Sequence, residues 1–354
     1  MTATTAVDTK NEAPDYSQYI GKKVMFLTVC AIVLVISVLV ALSIGSANLP
    51  ISEVVDQIVN QNGIAWSIRF PRVLVAVVAG AMLAVAGTVM QCILKNPLSE
   101  PYTLGLSQAA AFGAAFAIVI LDAGNMFSNT KDAVVISNQY AVTLCAFVFS
   151  LISTGVVLVL TRLTRVSPEA IVLSGVVMGS VFAAARTAIQ YFANEIQLAS
   201  IVYWTFGDLS RITLDNLVLI TVVSVPVLIY FIYNRWNYNA IDAGIDTASS
   251  LGVNVSRHIL VGMVLSSLVA ALIVSLMGVI GFVGLLAPHM VRRVIGSDHR
   301  FVIPASVLVG ALILLISDTL ARTIISPLVL PVGVITSFLG GPLFLAILIR
   351  GYRK

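Results

Sequence analysis

The sequence predicts an all-α polytopic membrane protein. Of 354 residues, 59% are hydrophobic and only 10% charged, against about 25% charged in an ordinary soluble domain. Mean hydropathy is +1.02. The apolar residues fall in runs of about twenty, the helical length that crosses a bilayer core. That core offers exposed backbone no hydrogen-bond partner, so spanning segments are helices or closed barrels.

Residues 1–20 are rich in Thr, Asp, Asn, Glu and Pro and poor in aliphatics, and are expected to form a mobile cytoplasmic tail. Residues 21–354 then read as a single transmembrane domain. The first apolar run, Val24 to Ile44, follows Lys22 and Lys23. It is longer than a signal-peptide core and lacks a small-residue cleavage site, so it is a retained first span. Further spans are expected at 70–91, 105–121, 140–161, 169–192, 214–234, 259–279, 281–295, 302–321 and 331–349, about ten crossings in all. The eighth is short, and Gly281, Gly284 and Pro288 either break it or let it run obliquely. Loops 45–68 and 122–139 fall on the outer side. Within the first, apolar positions 51, 54, 55, 58 and 59 predict a short surface helix over Ile51–Val59. Five spans followed by five of opposite entry direction permit an inverted repeat.

Alternation from an inner N-terminus places both termini in the cytoplasm. Most basic residues then lie inside, among them Lys22, Lys23, Lys95, Arg235, Arg257, Arg292, Arg293 and Arg300, as the bias of Lys and Arg toward cytoplasmic loops requires. Arg69, Arg72, Lys131, Arg211 and Arg322 are left outside. The net charge of +4 is spread singly or in pairs between apolar runs, which argues against nucleic-acid binding. Cys30, Cys92 and Cys145 have no C-x-x-C spacing and read as small apolar packing residues. Glycines 80, 87, 105, 113, 175, 179 and 278 sit in spans, where small residues let helices approach closely.

The strongest sequence signal is a series in order: Arg69-Phe70-Pro71-Arg72, Gly80-Ala81, Gly87, Gln91, Asn96-Pro97-Leu98-Ser99 and Leu104-Gly105. It continues with Gly281-Phe282-Val283-Gly284-Leu285, Pro288-His289, Asp298-His299-Arg300, Asp318, Ala321-Arg322 and Leu330-Pro331-Val332-Gly333. From about residue 65 to the C-terminus it resembles the iron-siderophore and cobalamin uptake permeases of ABC importers. The resemblance implies a permease subunit in the cytoplasmic (inner) membrane that moves an iron-siderophore, haem or cobalamin-type chelate inward. The implied partners are a second permease copy, two cytoplasmic ATPase subunits carrying ATP and Mg, and an external substrate-binding protein.

It further implies that Arg69, Arg72 and Arg322 meet acidic residues of the binding protein, a role suited to the planar, always-charged guanidinium fork. The alternative is that they are interfacial anchors. The cytoplasmic loop near 237–257 corresponds to the segment that couples to the ATPase, with Asp242, Asp246, Ala248, Leu251 and Gly252 as candidate contacts and Gly252 as a helix stop. Gly244-Ile245-Asp246 stands where the family pattern carries a glutamate, and Val329 replaces another common glutamate. The fifth span lines the translocation path in the family, so Gly179, Arg186 and Gln190 are candidate pathway residues. An ionisable group within a span needs water or a partner: Arg186 either faces the cavity or pairs with an acid such as Glu195. Asp318 and Arg322, four apart, can pair along one helix face.

No phosphate-binding G-x-x-x-x-G-K-[ST] loop is present, so the chain is not itself the ATPase. His258, His289 and His299 lack metal-ligand spacing; neither a metal, a cofactor nor a catalytic residue is expected in this chain. The rival readings are an ion-coupled secondary transporter, which requires intramembrane acids that are nearly lacking, and a non-catalytic membrane assembly protein.

Overall fold

The computed structural model describes residues 16–45, 49–123, 138–164, 168–326 and 328–351. The tail through residue 15, most of loop 122–139 with Lys131, and Lys354 lie outside the described residues. Among those described, the regular structure is entirely helical. α1 is Tyr16–Ser43 and α2 Ile51–Val59; a π-helical turn, Ala65–Arg69, leads into α3, Phe70–Ile93. A 3₁₀ turn, Pro101–Leu104, precedes α4, Leu106–Val119, and α5, Gln139–Thr164, α6, Pro168–Phe192, and α7, Glu195–Thr205, follow. α8 is Leu214–Tyr233, α9 Arg235–Ala243, α10 Ile245–Ser250 and α11 Val255–Met277. α12, Val283–Ile295, α13, His299–Thr323, and α14, Val332–Gly351, complete the order.

Among the described residues, seven helices are long and apolar enough to cross a membrane: α3 with its π turn, α1, α5, α6, α8, α11 and α13. α12, with 13 residues, extends about 20 Å, well short of a hydrocarbon core of about 30 Å. α4 is slightly shorter than its predicted span of 105–121, and the segment before it folds back into the body: Leu94, Ser99, Glu100, Pro101 and Leu104 are buried. At the other extreme, α1 begins at Tyr16, so the last five residues of the expected tail are helical. Lys23 secures that turn, donating to the Tyr19 hydroxyl at 2.6 Å while 2% exposed.

α3 is the central helix. Its most apolar stretch is 83% buried, against 6% for α1 at the periphery. α13, α11, α12 and α8 pack around it. Without a hydrophobic driving force in lipid, such packing depends on close approach at small residues. A Cβ on Gly80 or Gly310 would collide with the other's carbonyl, and one on Gly87 with the carbonyl of Gly284. Between α4, α5 and α6 the rings of Phe112, Phe149 and Phe182 interlock, with Phe112 centroids 4.8 Å from Phe149 and 5.5 Å from Phe182.

α3 and α13 run antiparallel, as the contacts of Arg72 with Asp318 at one end and Cys92 with the His299 region at the other require. The bundle therefore has an arginine-rich end, where α1 terminates, and an opposite end where α9 and α10 pack.

Candidate functional site

At the arginine-rich end, Arg69, Arg72 and Arg322 converge on the C-terminus of α1 and on Asp318. None presents a free guanidinium at the protomer surface, since they are 5%, 6% and 8% exposed. Arg69 donates to the carbonyls of Leu42 and Ser43, both at 2.9 Å. Arg322 donates to those of Ala41 at 3.1 Å and Ile44 at 3.2 Å. These last-turn carbonyls of α1 lack intrahelical partners and carry the negative end of its dipole, so two cations cap them. Arg72 holds Asp318 with Nε and Nη2, each 2.8 Å from Oδ1. Arg322 Nε adds an ion-pair contact of 3.1 Å to Oδ2, the expected i,i+4 pair. Asp318 is completely buried.

The opposite end carries the expected coupling residues on two short helices set at an angle by Gly244, whose φ of 140° only glycine adopts readily. α10 ends as anticipated at Gly252, φ 80°: its N–H bonds the Ser249 carbonyl and that of Val253 bonds Ala248, a Schellman closure. Ala248 is fully buried, whereas Leu251 is 70% exposed and Asp246 is also exposed. Asp242 is exposed at the edge of α9 and stands 3.8 Å from both Lys95 Nζ and His299 Nε2.

Asn239, within the loop near 237–257 but not among the candidate contacts, joins α9 to α13. It donates to Asp298 Oδ1 at 2.9 Å and accepts from the His299 N–H at 2.7 Å. Burial opposes ionisation of Asp298, but Arg300 and Asn239 overcome it and hold the carboxyl at about 2. An asparagine in a helix is too common a feature to have been selected from sequence.

Of the pathway candidates on α6, Gly179 and the adjacent Gly175 line a cavity of about 350 Å³ with Tyr102, Gly105 and Gln108. Gly175 admits the 3₁₀ turn, since a Cβ there would collide with the Thr103 carbonyl. Arg186 and Gln190 are half-buried nearer the end of α6 and do not line this cavity. Arg186 makes no ion pair among the described residues and its enclosed Nε has no hydrogen-bond partner, so the pairing with Glu195 is not formed.

Glu100 escaped sequence selection because it sits between two turn-forming motifs. It is 8% exposed, and its Oε2 lies 2.9 Å from where a Cβ on Gly284 would stand. Burial raises its carboxyl to about 8, so it is largely protonated at neutral pH.

Comparison with known proteins gives this geometry its family. An ABC transporter permease protein of Methanocaldococcus jannaschii is 48% identical over 344 residues, covering 96% of this chain and 98% of that one. The hemin transport system permease protein HmuU of Yersinia pestis is 35% identical over 319 residues, covering 88% and 93%. The vitamin B12 import system permease protein BtuC of Vibrio cholerae is 34% identical over 289 residues, covering 82% and 83%. Among solved structures, an ABC transporter described as of metal-chelate type, in an inward-facing conformation, superposes with a TM-score of 0.79 at 27% identity, covering 92% of this chain and 98% of that one. The model of the FecCD transport family matches residues 33–350, and the chain belongs to that family.

Proposed function

We propose that this chain is the membrane-spanning permease subunit of an ATP-binding-cassette importer that moves a metal chelate of the iron-siderophore, haem or cobalamin type into the cytoplasm. The observation that carries the reading is the match to hemin and vitamin B12 permeases over most of the chain, joined to an exposed helix pair at one end of the bundle. The chain performs no bond chemistry itself; ATP and Mg belong to two partner ATPase subunits.

In this reading about ten segments cross the inner membrane, with α4, α12 and α14 added to the seven long helices and both termini in the cytoplasm. The five-plus-five arrangement remains compatible with an inverted repeat. The exposed Leu251 and Asp246 meet the ATPase, while the buried Ala248 and the Gly252 closure keep α10 in shape. Movement of that pair reaches the core through Asn239 to α13 and through Asp242 and Lys95 to α3. A second permease copy covers the exposed face of α6, and the cavity at Gly179 together with Arg186 and Gln190 faces the path between copies. At the other end Arg72 and Arg322 share the single carboxylate of Asp318. Their surplus positive charge supports attraction of an acidic face on the substrate-binding protein through the field, not through free side chains.

The test is uptake by vesicles containing the permease, its ATPase and its binding protein. ATP-dependent accumulation of the chelate requiring both partners is the expected result. Uptake driven by a proton or sodium gradient without ATP would overturn the assignment.

A further inference from the structure

Cys92, Asp242 and His299 are distant in sequence and belong to the last turn of α3, to α9 and to the first turn of α13, yet one ligand atom from each lies within 4.8 Å of the others. Thiolate, imidazole and carboxylate are the donor types of a zinc-class centre. Bond lengths of about 2.3 Å to sulfur and 2.0 Å to nitrogen place donors roughly 3.5 Å apart around a tetrahedral ion. The donors therefore need to draw together by about 1 Å to take a tetrahedral ion.

His299 provides an independent observation. It is 0% exposed, and neither ring nitrogen has a hydrogen-bond partner; the Asp242 carboxylate stands 3.8 Å from Nε2, beyond hydrogen-bonding distance. Buried polar groups left unpaired are rare in folded proteins and call for an explanation. The Cys92 thiol has only a weak bond, 3.4 Å, to the Tyr238 carbonyl.

We propose that Cys92, Asp242 and His299 bind one zinc-class divalent cation at the joint between the α9–α10 pair and the membrane core, with water as fourth ligand on the open side of Asp242. Binding breaks the Cys92 S–H bond, the thiolate sulfur coordinates the ion and the proton leaves to solvent; no oxidation state changes. Two cations oppose the ion. Arg292 reaches the cluster by charge, and Lys95 Nζ stands 3.8 Å from Asp242. Lys95, 31% exposed, also donates to the Ile241 carbonyl, so it stays beside Asp242 and lysine and metal compete for that carboxylate. The bound ion fastens α9 to both α3 and α13, the two helices through which movement of the pair would enter the core.

The test is a Co²⁺ titration of the full-length, tag-free permease in detergent, a readout independent of transport and of the importer assignment. The expected result is a single Co²⁺ per chain with a thiolate-to-cobalt charge-transfer band that Zn²⁺ abolishes. Cys92→Ser, similar in size and still able to donate to Tyr238, should lose the band and bind about tenfold or more weakly. Lys95→Gln, which removes a like charge about 4 Å from the site, should bind several-fold more tightly. Helicity and elution volume establish that each variant is folded. Absence of the band from the wild type, its persistence in Cys92→Ser, or unchanged affinity in Lys95→Gln would overturn the proposal.

Discussion

Replacing Asp318 by Asn keeps the shape of the side chain and removes the one carboxylate that Arg72 and Arg322 contact among the described residues. Asp318 is 0% exposed, Arg72 grips it through two nitrogens at 2.8 Å, and Arg322 Nε stands 3.1 Å away. Removing one partner of a buried ion pair costs about 3–5 kcal/mol, because the remaining charge stays buried without compensation. Two features place this variant near the lower end, at about 3 kcal/mol. Asn still offers Arg72 an oxygen, and Arg322 keeps the α1 carbonyls of Ala41 and Ile44. The double substitution Arg72→Met, Asp318→Leu removes both charges and should recover much of the loss. Unfolding in mixed micelles with increasing SDS, followed by circular dichroism, measures both. A loss below about 1 kcal/mol for Asp318→Asn, near the average for a polar contact between membrane helices, would refute the description of this end as a dry, mutually dependent cluster.

Glu100 gives a pH prediction. Its folded value, about 8, lies above the ordinary value of about 4.3, so its neutral form favours the fold: that contribution is full below about 4.3 and is lost as pH rises through about 8. Thermal unfolding between pH 6 and 9 should show an alkaline loss that Glu100→Gln abolishes; an identical loss in the variant counts against a buried carboxyl. Gly310→Ala drives a Cβ into Ala84 and the Gly80 carbonyl and should cost about 1–3 kcal/mol by overpacking, read in the same micelle assay; an unchanged midpoint would mean that α3 and α13 are not in close contact. Asn239→Ala removes the link between α9 and the first turn of α13. It should lower transport per ATP hydrolysed while sparing ATPase binding, measured in vesicles and by pull-down, and wild-type coupling in the variant would exclude that route.

Seven of the ten expected spans were legible because hydrophobic length is a local property, and so were α2, the stop at Gly252 and the i,i+4 pairing of Asp318 with Arg322. The short α12 was foreshadowed by Gly281, Gly284 and Pro288. What stayed hidden depends on residues far apart in sequence. The burial of Arg69 is set by α1 carbonyls 26 and 27 positions earlier, and nothing local distinguishes a buried cap from an exposed anchor. Glu100 lies in a segment that reads as a polar loop, yet that segment folds into the core against Gly284. Cys92 was read from its apolar neighbours as packing; only the fold brings it to Asp242 and His299. The loop near 237–257 was singled out by family likeness, while Asn239 within it, which bonds Asp298 and His299, was not among the residues named there.

The most direct measurement of the central claim is chelate accumulation in proteoliposomes containing this permease, its ATPase and its binding protein, with ATP supplied and all ion gradients collapsed. The account predicts accumulation that stops when either partner is omitted or when ATP cannot be hydrolysed. Accumulation that needs an ion gradient and proceeds without ATP would contradict it.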